Sequence, residues 1–269
     1  MVDRYPLPTS FSMELFGQQL GTTGTPFLIL HGLFGLSDNW RTFGLKWQER
    51  YRMFLADARN HGRSPHTASH TYSEMAQDVA DTLDAQGWAD AILLGHSMGG
   101  KAVMQFALNN PRRVQALIVA DMSPRAYPPH HDAILDALQA VKLDAISSRA
   151  DADAAMAIHL DDVGIRQFLL KSLFRTEEGQ FAWRFNLPVL AKDYAHILDS
   201  VTGQPFRGPT LFITGGQSRY VQDKDKPLIR ELFPFHEHVV LPGAGHWLHA
   251  EQPDAFYTEV NQFLQRHGF

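Results

Sequence analysis

Ala91-Ile92-Leu93-Leu94-Gly95-His96-Ser97-Met98-Gly99 is the stretch that decides the fold. Its apolar opening has the length and character of a strand buried on both faces. Ser97 follows with glycines two residues before and two after, and the run Lys101 to Asn109 continues as a helix that begins at about Met98. A serine caught between a buried strand and a helix must occupy a sharp turn, and small neighbours let the backbone turn and the flanking elements approach. The hydroxyl is then lifted out of the sheet toward a pocket, the geometry of a nucleophile elbow. G-x-S-x-G alone also marks ordinary tight turns; the strand before it and the helix after it give it chemical meaning.

Similar short apolar runs recur at Phe27 to Leu30, Met53 to Ala56, Ala116 to Ala120, Thr210 to Thr214 and Val239 to Leu241. None alternates strictly, as expected of strands covered on both sides. Helical patterns lie between them, such as Ser73 to Gln86, with Met75, Val79, Ala80 and Leu83 on one face, Ser73 as its cap and Gly87 as its end. Strands alternating with helices give an α/β class with a mostly parallel, doubly wound sheet. The rhythm breaks between Ser123 and Pro205, where helical patterns at Asp132 to Val141, Asp151 to His159 and Ile165 to Phe174 replace strands. We expect residues 1–122 and 206–269 to form the core and 123–205 an inserted helical cap over the carboxyl edge of the sheet, where such sheets bind ligands.

Composition removes whole classes of function. With 44% hydrophobic residues the chain has material for a large core, so disorder is excluded. A net charge of −5 without a basic stripe argues against nucleic-acid binding. The polar start Met1-Val2-Asp3-Arg4-Tyr5-Pro6 has no apolar segment of signal length, and no stretch approaches a membrane span; the expectation is a soluble, cytoplasmic protein, monomeric or a small homo-oligomer. The absence of cysteine excludes disulfides, thiolate metal sites and a cysteine nucleophile. No paired-histidine metal pattern and no phosphate-binding glycine loop follows a strand, so no cofactor or metal is expected.

A serine hydroxyl needs a base to take its proton and a third group to orient that base. Of 14 histidines, His66, His70, His130, His131, His236 and His238 read as surface residues. His246 lies in Gly243-Ala244-Gly245-His246-Trp247, after the last strand and before a helix starting near Gln252, where glycines can carry the imidazole to the elbow; His249 is its rival. His31-Gly32-Leu33-Phe34-Gly35 ends the first long strand, and the backbone N–H groups of Leu33 and Met98 are candidate oxyanion donors, with His31 bracing the loop. An orienting acid after Thr210 to Thr214 would be the commonest arrangement, yet Gly215 to Val221 holds no carboxylate, and Asp223 and Asp225 read as the solvated start of a helix. Asp121, at the end of a buried strand, needs a partner there. It is the candidate acid, with Ser218 able to add a hydrogen bond near His246. Asp57 to Ser64 reads as a scaffold loop in which Asp57 and Arg59 meet backbone or each other.

These segments, from His31 to Gly35, Asp57 to Ser64, Gly95 to Lys101, Asp121 to Pro124, Gly215 to Val221 and Gly243 to Pro253, resemble the YbfF-type esterases of bacteria, within the α/β-hydrolase superfamily. Gln167 to Ser172 and Trp183 to Asn186 are similar to that family's cap, so the likeness runs from about residue 10 onward. The resemblance implies an α/β-hydrolase fold, a triad at Ser97, Asp121 and His246 with a serine where most relatives carry aspartate, and hydrolysis of small-molecule carboxylic esters of short acyl chains, with acyl-CoA thioesters as a further class. Gln217 and Arg219 depart from the pattern beside the pocket. Two alternatives stay open: hydrolysis of a carbon–carbon bond in a β-diketone by the same triad, and a ligand receptor that does not turn over. Dehalogenases and epoxide hydrolases carry aspartate at the elbow.

Overall fold

The computed structural model describes residues 12–269; the start read above as polar and free of a signal segment, Met1 to Pro6, lies outside them. In chain order the strands are β1 (Gly17–Leu20), β2 (Thr25–Leu30), β3 (Tyr51–Ala56), β4 (Ala91–His96), β5 (Val114–Ala120), β6 (Leu173–Arg175), β7 (Phe181–Trp183), β8 (Thr210–Gly215) and β9 (His236–Leu241). The helices are α1 (Arg41–Trp47), α2 (Tyr72–Ala85), α3 (Met98–Asn109), α4 (Asp132–Ala140), α5 (Arg149–Met156), α6 (Val163–Leu170), α7 (Leu187–Lys192), α8 (Tyr194–Leu198), α9 (Lys226–Leu232), α10 (Leu248–Glu251) and α11 (Pro253–Arg266).

Among the described residues, one sheet runs β1-β3-β2-β4-β5-β8-β9, parallel throughout except for β1, which pairs antiparallel with β3 at the edge. β4 is buried along its whole length. Its neighbours are in register at the carboxyl end, where Gly95 faces Leu30 on β2 and Val119 on β5. The loops that leave β2, β4, β5 and β8 therefore emerge side by side. One face packs on α2 and α3 through residues such as Val79, Leu83 and Phe106, the other on α1 and α11 through Phe43, Trp47, Phe256 and Phe263. A sheet buried on both faces explains why its strands read as unbroken apolar runs.

Three details differ from the sequence expectation. α2 is capped by Thr71 rather than Ser73: the Thr71 hydroxyl accepts from the Glu74 N–H while the Glu74 carboxylate accepts from the Thr71 N–H. That reciprocal arrangement satisfies two of the helix's orphan donors. The segment between β5 and β8 carries, besides α4 to α8, an antiparallel pair, β6 with β7. Its strands are three residues each, too short to show periodicity in a sequence. In the scaffold loop Asp57 meets backbone, one of the two expected arrangements, and the departure is a side-chain partner for Arg59. Asp57 accepts from the N–H groups of Ser37 and Arg63, and Arg59 makes a bidentate pair with the buried Asp78.

The same segment is fastened to the core. Phe185 packs on Phe34 at 5.0 Å, and the Asn186 N–H donates to Asn60 O at 2.8 Å. Among the described residues no helix is long and apolar enough to cross a membrane.

Candidate active site

Ser97 has φ 54° and ψ −121°, a conformation that a residue with a side chain adopts only when its surroundings enforce it. The flanking glycines show how. A Cβ on Gly95 would stand 2.2 Å from Gly99 O, and one on Gly99 would stand 2.4 Å from Leu30 O and 2.5 Å from His31 O. Only glycine at both positions lets α3 start so close to β2 and β4.

The loop after β9 brings His246 onto this turn, with Nε2 at 3.1 Å from Ser97 Oγ. Nδ1 lies 2.7 Å from Asp121 Oδ2. Asp121 follows β5 directly, is fully buried and sits at φ 49°. All its other bonds come from donors: Oδ1 accepts from the Gly215 N–H at 3.1 Å and Oδ2 from the Ser218 hydroxyl at 2.5 Å. A carboxylate that only accepts fixes the hydrogen of His246 on Nδ1 and leaves Nε2 as the acceptor for the serine hydroxyl. The structure brings Ser97, His246, Asp121 and Ser218 into one hydrogen-bonded chain.

His249 has no part in this chain. It is buried, stacked on Trp40 at 4.4 Å, with Nδ1 unpartnered, and burial pushes its pKa down to about 3. His31 braces its loop as expected: Nε2 accepts from the Ala58 N–H at 3.0 Å and Nδ1 faces Gly32 O at 2.7 Å. His70, read as a surface residue, is instead buried against Met98 Sδ at 3.3 Å, and burial lowers it to about 3. His131 is likewise half-buried and lowered to about 3, chiefly by burial, with Tyr194 and Tyr220 hydroxyls at 3.1 and 3.2 Å. Asp225 is not solvated; it is buried beside Arg125 at 2.8 Å, whereas Asp223 is exposed.

The N–H groups of Leu33 and Met98 have no hydrogen-bond acceptor among the described residues. Met98 is the first residue of α3, whose initial N–H groups have no partner within the helix. A cavity of about 640 Å³ opens beside them, lined by Ser97, His246, Leu33, Ile165, Phe168 and Trp247. That volume suits a small organic ligand. Among the described residues no group of three or more potential metal ligands is present.

Two features had no sequence signal. The Tyr220 ring stacks face to face on His246 at 3.8 Å, its N–H donating to Ser218 Oγ and its carbonyl accepting from the Tyr127 hydroxyl at 2.6 Å. Lys101 is fully buried on α3, its ammonium donating to the carbonyls of Leu198 and Asp199 and its pKa lowered to about 7 by burial.

Comparison with known proteins agrees with this architecture. The family model of the alpha/beta hydrolase fold matches residues 25–185. The chain is 40% identical to Esterase YbfF of Escherichia coli, over 89% of this chain and 93% of that protein. It is 39% identical to the mouse sn-1-specific diacylglycerol lipase ABHD11, over 97% of this chain and 87% of that one. A solved structure titled "Marine microorganism esterase" superposes with a TM-score of 0.91 at 38% identity, covering 94% of this chain and all of that one. The chain belongs to the α/β hydrolase fold family, in the branch of the YbfF-type esterases.

Proposed function

We propose that this carboxylic ester hydrolase works by two-step acyl transfer through Ser97, His246 and Asp121. The observation that carries the reading is the unbroken chain from Ser97 Oγ through the imidazole to a buried carboxylate whose remaining bonds all come from donors. Ser97 Oγ attacks the ester carbonyl as His246 Nε2 takes its proton. The unpartnered N–H groups of Leu33 and Met98 bind the oxyanion; such donors are each worth about 3 kcal/mol in transition-state stabilisation. Asp121 holds the imidazole tautomer and stabilises the imidazolium, and Ser218 steadies Asp121. The alcohol leaves with the proton, and water repeats the sequence on the acyl-enzyme. Residues 123–205 act as a cap that shapes the cavity and excludes bulk water. Esters of short acyl chains are the main substrate class in this reading, with acyl-CoA thioesters as a second.

Turnover of 4-nitrophenyl acetate by the wild type and by Ser97→Ala tests it. A loss of about 10⁴-fold or more in kcat with an unchanged circular dichroism spectrum is expected. Retained turnover in the variant overturns the scheme, and single-cycle, stoichiometric release by the wild type points to a receptor instead.

A further inference from the structure

Ser97 faces two spaces of very different size. Besides the cavity of about 640 Å³, a slot of about 20 Å³ adjoins the serine, walled by Met98, Met122, Tyr127, Ile197, Leu198 and Tyr220. The slot offers about a thirtieth of the cavity's space, so of an ester's two ends it takes the smaller. His246 lines the large cavity and not the slot, where the stacked Tyr220 ring stands between.

That asymmetry fixes the direction of an ester. When the tetrahedral intermediate collapses, the bond from the acyl carbon to the alcohol oxygen breaks, and the proton taken from Ser97 passes from His246 Nε2 to that oxygen. The leaving oxygen must therefore lie on the side open to His246, which is the large cavity. The remaining substituent of the carbonyl carbon, the acyl chain, points the other way. We propose, resting on the acyl-transfer reading above, that the slot is the acyl site and the cavity the alcohol site, so that the enzyme is an acetyl or propionyl esterase of bulky alcohols. Deacylation follows the same geometry: once the alcohol has gone, the emptied cavity admits water beside His246 while the short acyl chain stays in the slot.

The slot is also held at its size. Lys101 on α3 donates to the carbonyls of Leu198 and Asp199, the Tyr72 hydroxyl donates to Ile197 O at 2.6 Å, and the Tyr127 hydroxyl donates to Tyr220 O while accepting from the Ser123 N–H at 2.8 Å. Three side chains thus fasten the wall by its backbone. The otherwise unexplained buried lysine acquires a task here, as a positioning residue that keeps Leu198 against the nucleophile helix.

The experiment compares kcat/KM for 1-naphthyl acetate, propionate, butyrate and hexanoate in the wild type, Ile197→Ala and Phe168→Ala. Because each reading is a ratio of two substrates within one preparation, it is independent of the fraction folded. One methylene too many for an apolar pocket costs about tenfold or more, so the wild type should fall at least that far between propionate and hexanoate. Ile197→Ala should raise the butyrate-to-acetate ratio by about tenfold. Phe168→Ala, on the other side, should leave that ratio unchanged and alter the preference between 1-naphthyl and ethyl acetate. A wild type that prefers hexanoate, or an acyl ratio that moves with Phe168 and not with Ile197, overturns the assignment while the ester reading stands. No turnover of any ester by the wild type overturns both.

Discussion

Six histidines crowd the carboxyl edge of the sheet, and only one of them joins a serine hydroxyl to a buried carboxylate. His31, His61, His70, His96 and His249 are all buried, and burial lowers the pKa of each. The imidazoles of His31, His61, His70 and His96 are bonded to backbone, amide or sulfur partners, as in His61 Nε2 accepting from the Phe34 N–H at 3.1 Å and His96 Nε2 meeting His246 O at 2.9 Å, while His249 stacks on Trp40. His246 is less buried than these and alone is bonded to a carboxylate on one nitrogen and a hydroxyl on the other. Burial makes a histidine a neutral packing residue; a buried carboxylate behind it makes it a base whose imidazolium is stabilised when it forms.

Asp121→Asn breaks that distinction most directly, because it leaves His246 in place with an amide where the other five have neutral partners. The asparagine amide can present a donor to Nδ1 and so favour the wrong tautomer. We expect kcat to fall by about 10⁴-fold, as a triad acid replaced by its amide does elsewhere, with KM little changed. A loss of less than about tenfold would mean that Asp121 braces the Ser218 loop and that His246 is oriented by something else.

A second test uses stability instead of rate. A histidine at about 3 in the folded state and near 6.5 when unfolded binds its proton preferentially to the unfolded chain between those values. Stability therefore rises with pH across that window and is lost as pH falls from 6.5 toward 3, by about 1.4 kcal/mol per pH unit for each such residue. His70 and His249 are both of this kind. Asp78, raised to about 6 mainly by burial, works in the opposite direction between 3.8 and 6 but is outnumbered. Urea unfolding at pH 7 and 5.5 should show marked acid lability, and His249→Leu should lessen the stability difference between those two pH values by about 1 kcal/mol. An unaltered difference would mean that His249 stays protonated when folded, and the contrast with His246 would blur.

Much of this was legible beforehand because each piece carries a local signature. Apolar runs of strand length marked β2 to β5, β8 and β9, and the glycines around Ser97 marked the elbow. Asp121 was legible by exclusion, since its strand is buried and the loop after β8 has no carboxylate. What escaped depends on tertiary neighbours. His70 stands in the polar stretch Thr67 to Thr71 and is buried only because Met98 and Asn60 close over it. The stacking of Tyr220 on His246 joins two loops that spacing alone cannot bring together, and β1 is a four-residue edge strand with mixed burial. The buried Lys101 gives no warning in a helix pattern, where a lysine usually means solvent.

The smallest expected effect separates the two downstream carboxylates from Asp121. Asp223 lies where a hydrolase with its acid after β8 could have recruited it, yet its side chain is exposed and its carboxylate pairs with Lys226 at 2.7 Å, which lowers its pKa. A solvated pair at a helix start contributes little, and nothing connects it to the imidazole. Asp223→Asn should therefore leave kcat/KM within about twofold of wild type. Asp225, buried beside Arg125 and bonded to the Gln222 N–H, is a poor substitute for this control, since removing it would leave a guanidinium without its partner and mix folding with catalysis. A large loss in Asp223→Asn would return the acid to the loop after β8 and make Asp121 a bracing residue, which is why the quiet variant is the sharper companion to Asp121→Asn.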